Sequence, residues 1–186
     1  MRSLVDLWFS FLVALRDRHT EVRPLQLMAA FFMLLSQNRC FVAVSNHCAE
    51  TLNTPVGTAP SIQQIYNRYK DKVDFLHIYI KEIHPVGSWE LKGSLNNKPL
   101  SQPTSLQERV EHANFLKTSK QVPMPMVVDS MTNEADWKYH VNNTRFVILE
   151  PGESPQRKIK FICGAGPYGY RLDLLDSQLS EMCNST

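Results

Sequence analysis

The sequence predicts an α/β domain with a central mixed sheet flanked by helices, and three observations carry that prediction. Short runs of β-branched and aromatic residues recur along the chain, among them "FVAVS" (Phe41–Ser45), "FLHIYI" (Phe75–Ile80) and "RFVIL" (Arg145–Leu149). Segments with helical spacing separate the early runs, which implies parallel crossovers. The last two runs, Arg145–Leu149 and Lys158–Ile162, are separated only by a turn, which implies an antiparallel hairpin.

Each element has its own local reason. Phe41–Ser45 is short, apolar and bounded by polar residues, as a buried strand is. Ser61 is a candidate N-cap, after which Ile62, Ile65, Tyr66, Tyr69 and Val73 recur on one helical face. Phe75–Ile80 has no polar alternation except His77, so it predicts a central strand covered on both faces, with His77 as a core histidine. His84 to Thr104 carries Gly, Pro and Asn without a period and predicts a loop insertion. Ser105-Leu106-Gln107-Glu108 has the pattern of a capping box, and Leu106, Val110, Ala113 and Leu116 form the apolar stripe of the helix it opens. Met126–Val128 predicts a short strand. Arg145–Leu149 and Lys158–Ile162 predict a hairpin around Pro151-Gly152-Glu153. "CGAGPYGY" breaks the chain, and Leu172, Leu175, Leu179 and Met182 mark a closing helix. The order β-α-β-loop-α-β-β-β-α is that of a thioredoxin-like fold with one added short strand.

Length and composition bound the rest. At 186 residues, with 43% hydrophobic and 20% charged residues, the chain is long enough for one domain with a core. A net charge of +2 with dispersed Lys and Arg gives no footprint for nucleic acid. Cys40, Cys48, Cys163 and Cys183 have neither zinc-site spacing nor the density of a disulfide scaffold, so no metal is expected. Residues 1–37 form a separate apolar segment. Leu4–Leu15 and the run "PLQLMAAFFMLLSQ" are each shorter than the ~20 residues a spanning helix needs. They predict two amphipathic or core-docked helices, with membrane association as the alternative. Residues 38–186 form the main domain. The sequons Asn142-Asn143-Thr144 and Asn184-Ser185-Thr186 matter only in a secreted context.

Ligands of open α/β sheets gather at the carboxyl ends of the strands. The first strand leads into Ser45-Asn46-His47-Cys48 and the second into Glu82-Ile83-His84-Pro85. If the two strands are neighbours, Cys48 and His84 share one rim. A thiol beside an imidazole is a catalytic pair, because the cation lowers the thiol pKa and the imidazole carries a proton. Glu82 then either orients the imidazole or is a solvated carboxylate. Cys48 is equally open to a second reading, as an inert small residue at a strand end.

Several stretches resemble the iodothyronine deiodinases: "YKDKVDFLHIYIKEIHPVGSW", "SLQERVEHANFL", "MVVDSMTN", "TRFVI" and "GAGPYGY", with "NRCFVAVSNHC" leading to the centre. The resemblance runs from Asn38 to about Leu179, and Glu82-x-His84-Pro85 with Trp89 is its specific part. It implies a thioredoxin-like fold with a family-type loop insertion and reductive removal of iodine from a thyroid hormone such as thyroxine. The family uses selenocysteine as nucleophile, a thiol reductant as co-substrate and no bound cofactor. The resemblance makes His84 the proton donor, Glu82 its support and Arg145 the arginine on the strand beside the site. It further implies a homodimer held at the endoplasmic reticulum or plasma membrane by an N-terminal anchor. The catalytic turn departs from the family. Aligned along the strand, the family cysteine falls on Cys48 and the selenocysteine on Glu50; aligned back from Phe75, the family threonine falls on Thr51 and the selenocysteine on Leu52. Cys48, Glu50, Thr51, Glu82, His84 and Arg145 are therefore the candidate site. Two alternatives fit the same residues. One is a peroxiredoxin-like thiol peroxidase built on Ser45-x-x-Cys48 and Arg145. The other is an inactive family member that binds hormone or dimerises.

Overall fold

The computed structural model describes residues 23–24, 39–46, 60–82, 84–88, 100–140, 144–152, 158–164 and 169–184. Among these, six strands form one sheet in the order β1-β4-β3-β2-β5-β6. They are β1 (Arg23–Pro24), β2 (Cys40–Asn46), β3 (Val73–Tyr79), β4 (Met126–Val128), β5 (Arg145–Leu149) and β6 (Ile159–Ile162). Four helices lie among the described residues: α1 (Ile62–Tyr69), α2 (Leu106–Ser119), α3 (Glu134–Tyr139) and α4 (Leu172–Asn184). β1, β4, β3 and β2 run parallel to one another, β5 runs antiparallel to β2, and β6 antiparallel to β5. This is the thioredoxin-like α/β arrangement that the order of elements predicts.

Alternation along the central strands divides the core in two. Val42 and Val44 of β2 and Val73, Phe75 and Tyr79 of β3 face one side, where Ile62 and Ile65 of α1, Ala113 and Leu116 of α2, and Leu175 and Leu179 of α4 pack on them. Phe41 of β2 and Leu76 and Ile78 of β3 face the other side, together with Val127 of β4 and Ala135 of α3. His77 is fully buried, as a core histidine should be.

Four details differ from the sequence reading. Tyr69 ends α1, and Val73 belongs to β3 instead of the helical face. At Ser61 a complete capping box forms with Gln64, whereas at α2 the Ser105 side chain accepts from the Glu108 amide and the Glu108 carboxylate reaches back to Thr104. α3 has no counterpart in the sequence reading, because only Ala135 of its residues is buried and no apolar period marks it. Its first turn is held from outside: the buried Asp129 carboxylate accepts from the Ala135 amide at 2.9 Å and the Ser130 amide at 2.8 Å. β1 is also additional; it pairs Arg23 with Val127 and Pro24 with Val128. The two helices expected in residues 1–37 otherwise lie outside the described residues. Among the described residues, no helix is long and apolar enough to cross a membrane.

Candidate active site

The register of β2 on β3 builds the site. Cys40 pairs with Val73 and each following residue keeps step, so Ser45 lies opposite Ile78 and Asn46 opposite Tyr79. Both strands run the same way, so both carboxyl ends reach one rim. β5 enters that rim from the opposite direction and pairs Arg145 with Ser45. Cys48 follows Asn46 by two residues in the sequence, but Cys48, Glu50 and Thr51 lie outside the described residues. Glu82, His84 and Arg145 are all placed, on the continuation of β3 and at the start of β5.

Glu82 is the best-defined group on the rim. Its side chain is 15% exposed, so it is not the solvated carboxylate of the simpler sequence reading. The Tyr79 hydroxyl donates a hydrogen bond to Oε1. His112 of α2 places Nδ1 3.9 Å from the same oxygen, at a similar exposure of 16%. Tyr79 and His112 thus both stand at the same oxygen of the Glu82 carboxylate. Burial pushes the Glu82 carboxyl up to about 7, against the opposing pull of the Tyr79 hydrogen bond. At neutral pH this group is about half protonated, the condition for giving or taking a proton.

The loop insertion clamps this segment at its base. The Glu82 amide donates to Oε1 of Gln102 at 3.1 Å, and Nε2 of Gln102 donates back to the Glu82 carbonyl. Further out, the Val86 amide donates to the Leu100 carbonyl at 2.9 Å. His84 stands between these two ties and is half-buried. Pro85 is buried, and Gly87 takes φ +77 in the turn closed by the Ser88 amide on the Pro85 carbonyl.

A second polar cluster backs the rim. Arg109 of α2 is 3% exposed and donates from Nη1 to the carbonyls of Asp129 at 3.1 Å and Ser130 at 2.5 Å. Burial lowers its pKa, opposed by the charge of Asp129; burial likewise raises Asp129, opposed by its backbone amide donors and Arg109. Arg145 donates from Nη1 to the Tyr139 carbonyl at 3.2 Å, which ties β5 to the end of α3.

Of the described cysteines, Cys40 sits at the start of β2, the end of that strand away from the rim. Cys163 is buried, and its Sγ accepts from the Phe146 amide at 3.1 Å. Burial raises its pKa, which leaves it a poor thiolate. Among the described residues, Cys40, Cys163 and Cys183 form no disulfide. Among the described residues no group of His, Cys, Asp or Glu is placed to hold a metal ion.

Sequence reasoning missed Tyr79, Gln102 and His112. Tyr79 could have been found, since it precedes Glu82 by three residues at the end of a strand. Gln102 and His112 meet Glu82 across 20 and 30 residues of chain, and no local pattern marks such contacts.

Fold and rim define a thioredoxin-like α/β protein with a proton-bearing carboxylate at the carboxyl ends of its parallel strands. The family model "Iodothyronine deiodinase" matches residues 26–182. The chain is 33% identical over 121 residues to a "Thyroxine 5-deiodinase" of Ovis aries, which covers 65% of this chain and 39% of that protein. It is 33% identical over 118 residues to a "Type I iodothyronine deiodinase" of Xenopus laevis, covering 63% and 43%. A "Type II iodothyronine deiodinase" of Fundulus heteroclitus is 30% identical over 132 residues, covering 69% and 48%. The chain belongs to the iodothyronine deiodinase family. The matched part spans less than half the length of these curated relatives.

Proposed function

We propose that this chain is an oxidoreductase that removes iodine reductively from an iodothyronine, with a thiol as co-substrate and Cys48 as the nucleophile. One observation supports this most directly. The in-register parallel pairing of β2 and β3 brings the strand that leads to Cys48 beside the one that leads to Glu82 and His84, with Arg145 paired opposite Ser45. In the proposed reaction the Cys48 thiolate takes iodine from the aromatic carbon, and a proton replaces it there. A first thiol displaces iodide from sulfur and leaves a mixed disulfide. A second thiol releases the enzyme thiol and the oxidised reductant, so the ring gains two electrons and one proton. Glu82 and His84 supply the rim proton, and the positive charge of Arg145 favours the thiolate. Cysteine takes over from selenocysteine at a shifted position, and slow turnover follows from its weaker nucleophilicity toward iodine.

The family carries further proposals with it. These are an iodothyronine as the bound small molecule, a homodimer, and association with the endoplasmic reticulum or plasma membrane through residues 1–37.

The test is release of labelled iodide from an iodothyronine in the presence of dithiothreitol, compared between the wild-type protein and Cys48→Ala. Release that disappears in the variant supports the proposal. Release no greater than that of the variant overturns it. Hydrogen-peroxide-dependent sulfenic acid at Cys48 without iodide release would replace it with thiol peroxidase chemistry.

A further inference from the structure

The described helices cover the two faces of the sheet unequally. α1, α2 and α4 all pack on the side of Val42, Val44 and Phe75. The other side carries Phe41, Leu76, Ile78, Ile80 and Val127, all buried. The helix described on that side is α3, which contributes Ala135. A helix of six residues is about 9 Å long. The seven residues of β3 beneath it run for about 23 Å. α3 is too short to cover this face.

The order of the strands shows which segment reaches it. Pro24 ends β1 in one row with Val128, Tyr79 and Asn46, at the rim. Cys40 opens β2 at the far end, about 20 Å back along the strands. β1 and β2 run in the same direction, so residues 25–38 must return across the sheet. A parallel crossover needs about a dozen residues or more, usually a helix, and residues 25–38 number fourteen.

Handedness then fixes the side. The steps from β2 to β3 and from β3 to β4 go one way across the sheet, and their helices, α1 and α2, lie on the first face. β1 lies beyond β4, so the step from β1 to β2 goes the other way. Parallel crossovers are almost always right-handed, and a reversed step of the same hand lies on the opposite face. The sequence suits that place: Leu27, Phe31, Leu34 and Leu35 recur with the period of a helix that buries one stripe.

We propose that the second face of the sheet is the docking surface for residues 25–38, which lie on Phe41, Leu76, Ile78 and Val127 as a right-handed crossover helix. The run "PLQLMAAFFMLLSQ" is then part of the core and not a membrane anchor. Through Phe41 it backs β2, the strand that leads to Cys48. It narrows the membrane association proposed above to residues 1–22, whose apolar run Leu4–Leu15 is shorter than the ~20 residues of a spanning helix. None of this depends on the reductive reading.

The test uses the full wild-type chain, with Leu, Ile and Val methyl groups and Phe rings labelled for NMR. Nuclear Overhauser contacts are expected from the side chains of residues 25–35 to the methyl groups of Leu76, Ile78 and Val127. Contacts to Val42, Val44 and Val73 instead, or to neither face, overturn the proposal. Amide exchange gives a second measurement. Protection of about a hundredfold or more is expected within residues 27–37, and exchange at the rate of an unfolded chain overturns the proposal. Vesicles of phosphatidylcholine and phosphatidylserine should leave both signals unchanged; signals lost on adding vesicles would return the segment to the membrane and overturn the docking. Iodide release bears on none of these outcomes, so the two proposals fail separately.

Discussion

Replacing Glu82 with glutamine should change the pH dependence of stability in a defined direction. Burial raises the Glu82 carboxyl from its ordinary 4.5 to about 7. The native state therefore keeps a proton that the unfolded chain releases between these values. Stability from this group is fully present below pH 4.5 and is lost as pH rises through 7. At 1.36 kcal/mol per pH unit the loss has a ceiling of about 3 kcal/mol. With the side chain 15% exposed, solvent access brings the working figure to about 2 kcal/mol. The substituted amide would stay neutral at every pH and keep an oxygen for the Tyr79 hydroxyl. Wild type and Glu82→Gln should thus be equally stable near pH 4.5, and the variant should lead by about 2 kcal/mol at pH 8. Urea unfolding followed by circular dichroism across that range, with the slopes compared, measures the difference. A gap that stays constant with pH, or a variant less stable than wild type at pH 8, would refute the burial argument.

Three further substitutions test the packing around the rim. A Cβ on Gly169 would lie 2.4 Å from the carbonyl carbon of Gly164 and 2.7 Å from its Cα, whereas a Cβ on Gly164 meets Gly169 Cα at 3.0 Å. Because backbone must move in the first case, Gly169→Ala should cost about 2 kcal/mol or more in urea unfolding and Gly164→Ala less, and the reverse order would contradict this close approach. Arg109→Met should cost about 3 kcal/mol, since it strips the Asp129 and Ser130 carbonyls of their buried donor and leaves the Asp129 carboxylate without its cation. The damage should show as faster hydrogen exchange at the Ala135 amide; an unchanged rate there would mean that α3 does not depend on Arg109.

The sheet and its main helices were legible because their signals are local. An apolar run such as Phe75–Ile80, an N-cap such as Ser61, or an apolar stripe from Leu106 to Leu116 declares itself within a few turns of chain. So was the family, through strings that keep their order along the chain. α3 left no such mark, because its first turn is held by Asp129, and Asp129 in turn lies beside Arg109, 20 residues earlier. Glu82, His84 and Arg145 were legible as candidates from their places at strand ends, but the surroundings of Glu82 were not. A carboxylate's pKa depends on what excludes water from it and what bonds to it; here burial raises it, the Tyr79 hydroxyl opposes that rise, and Gln102 holds the backbone in place.

By itself, then, the amino-acid sequence determined the succession of the main strands and helices, all but α3 and β1, the parallel and hairpin connections, and the candidate residues at two strand ends. Hydrophobic periods and turn residues act over a few positions, and those features need nothing more. Only the tertiary structure decided that the two strand ends share one rim in register, that α2 brings His112 to Glu82, and that the carboxyl there holds its proton near neutrality. Register, burial and electrostatic environment are set by groups distant in the chain, which folding alone brings together.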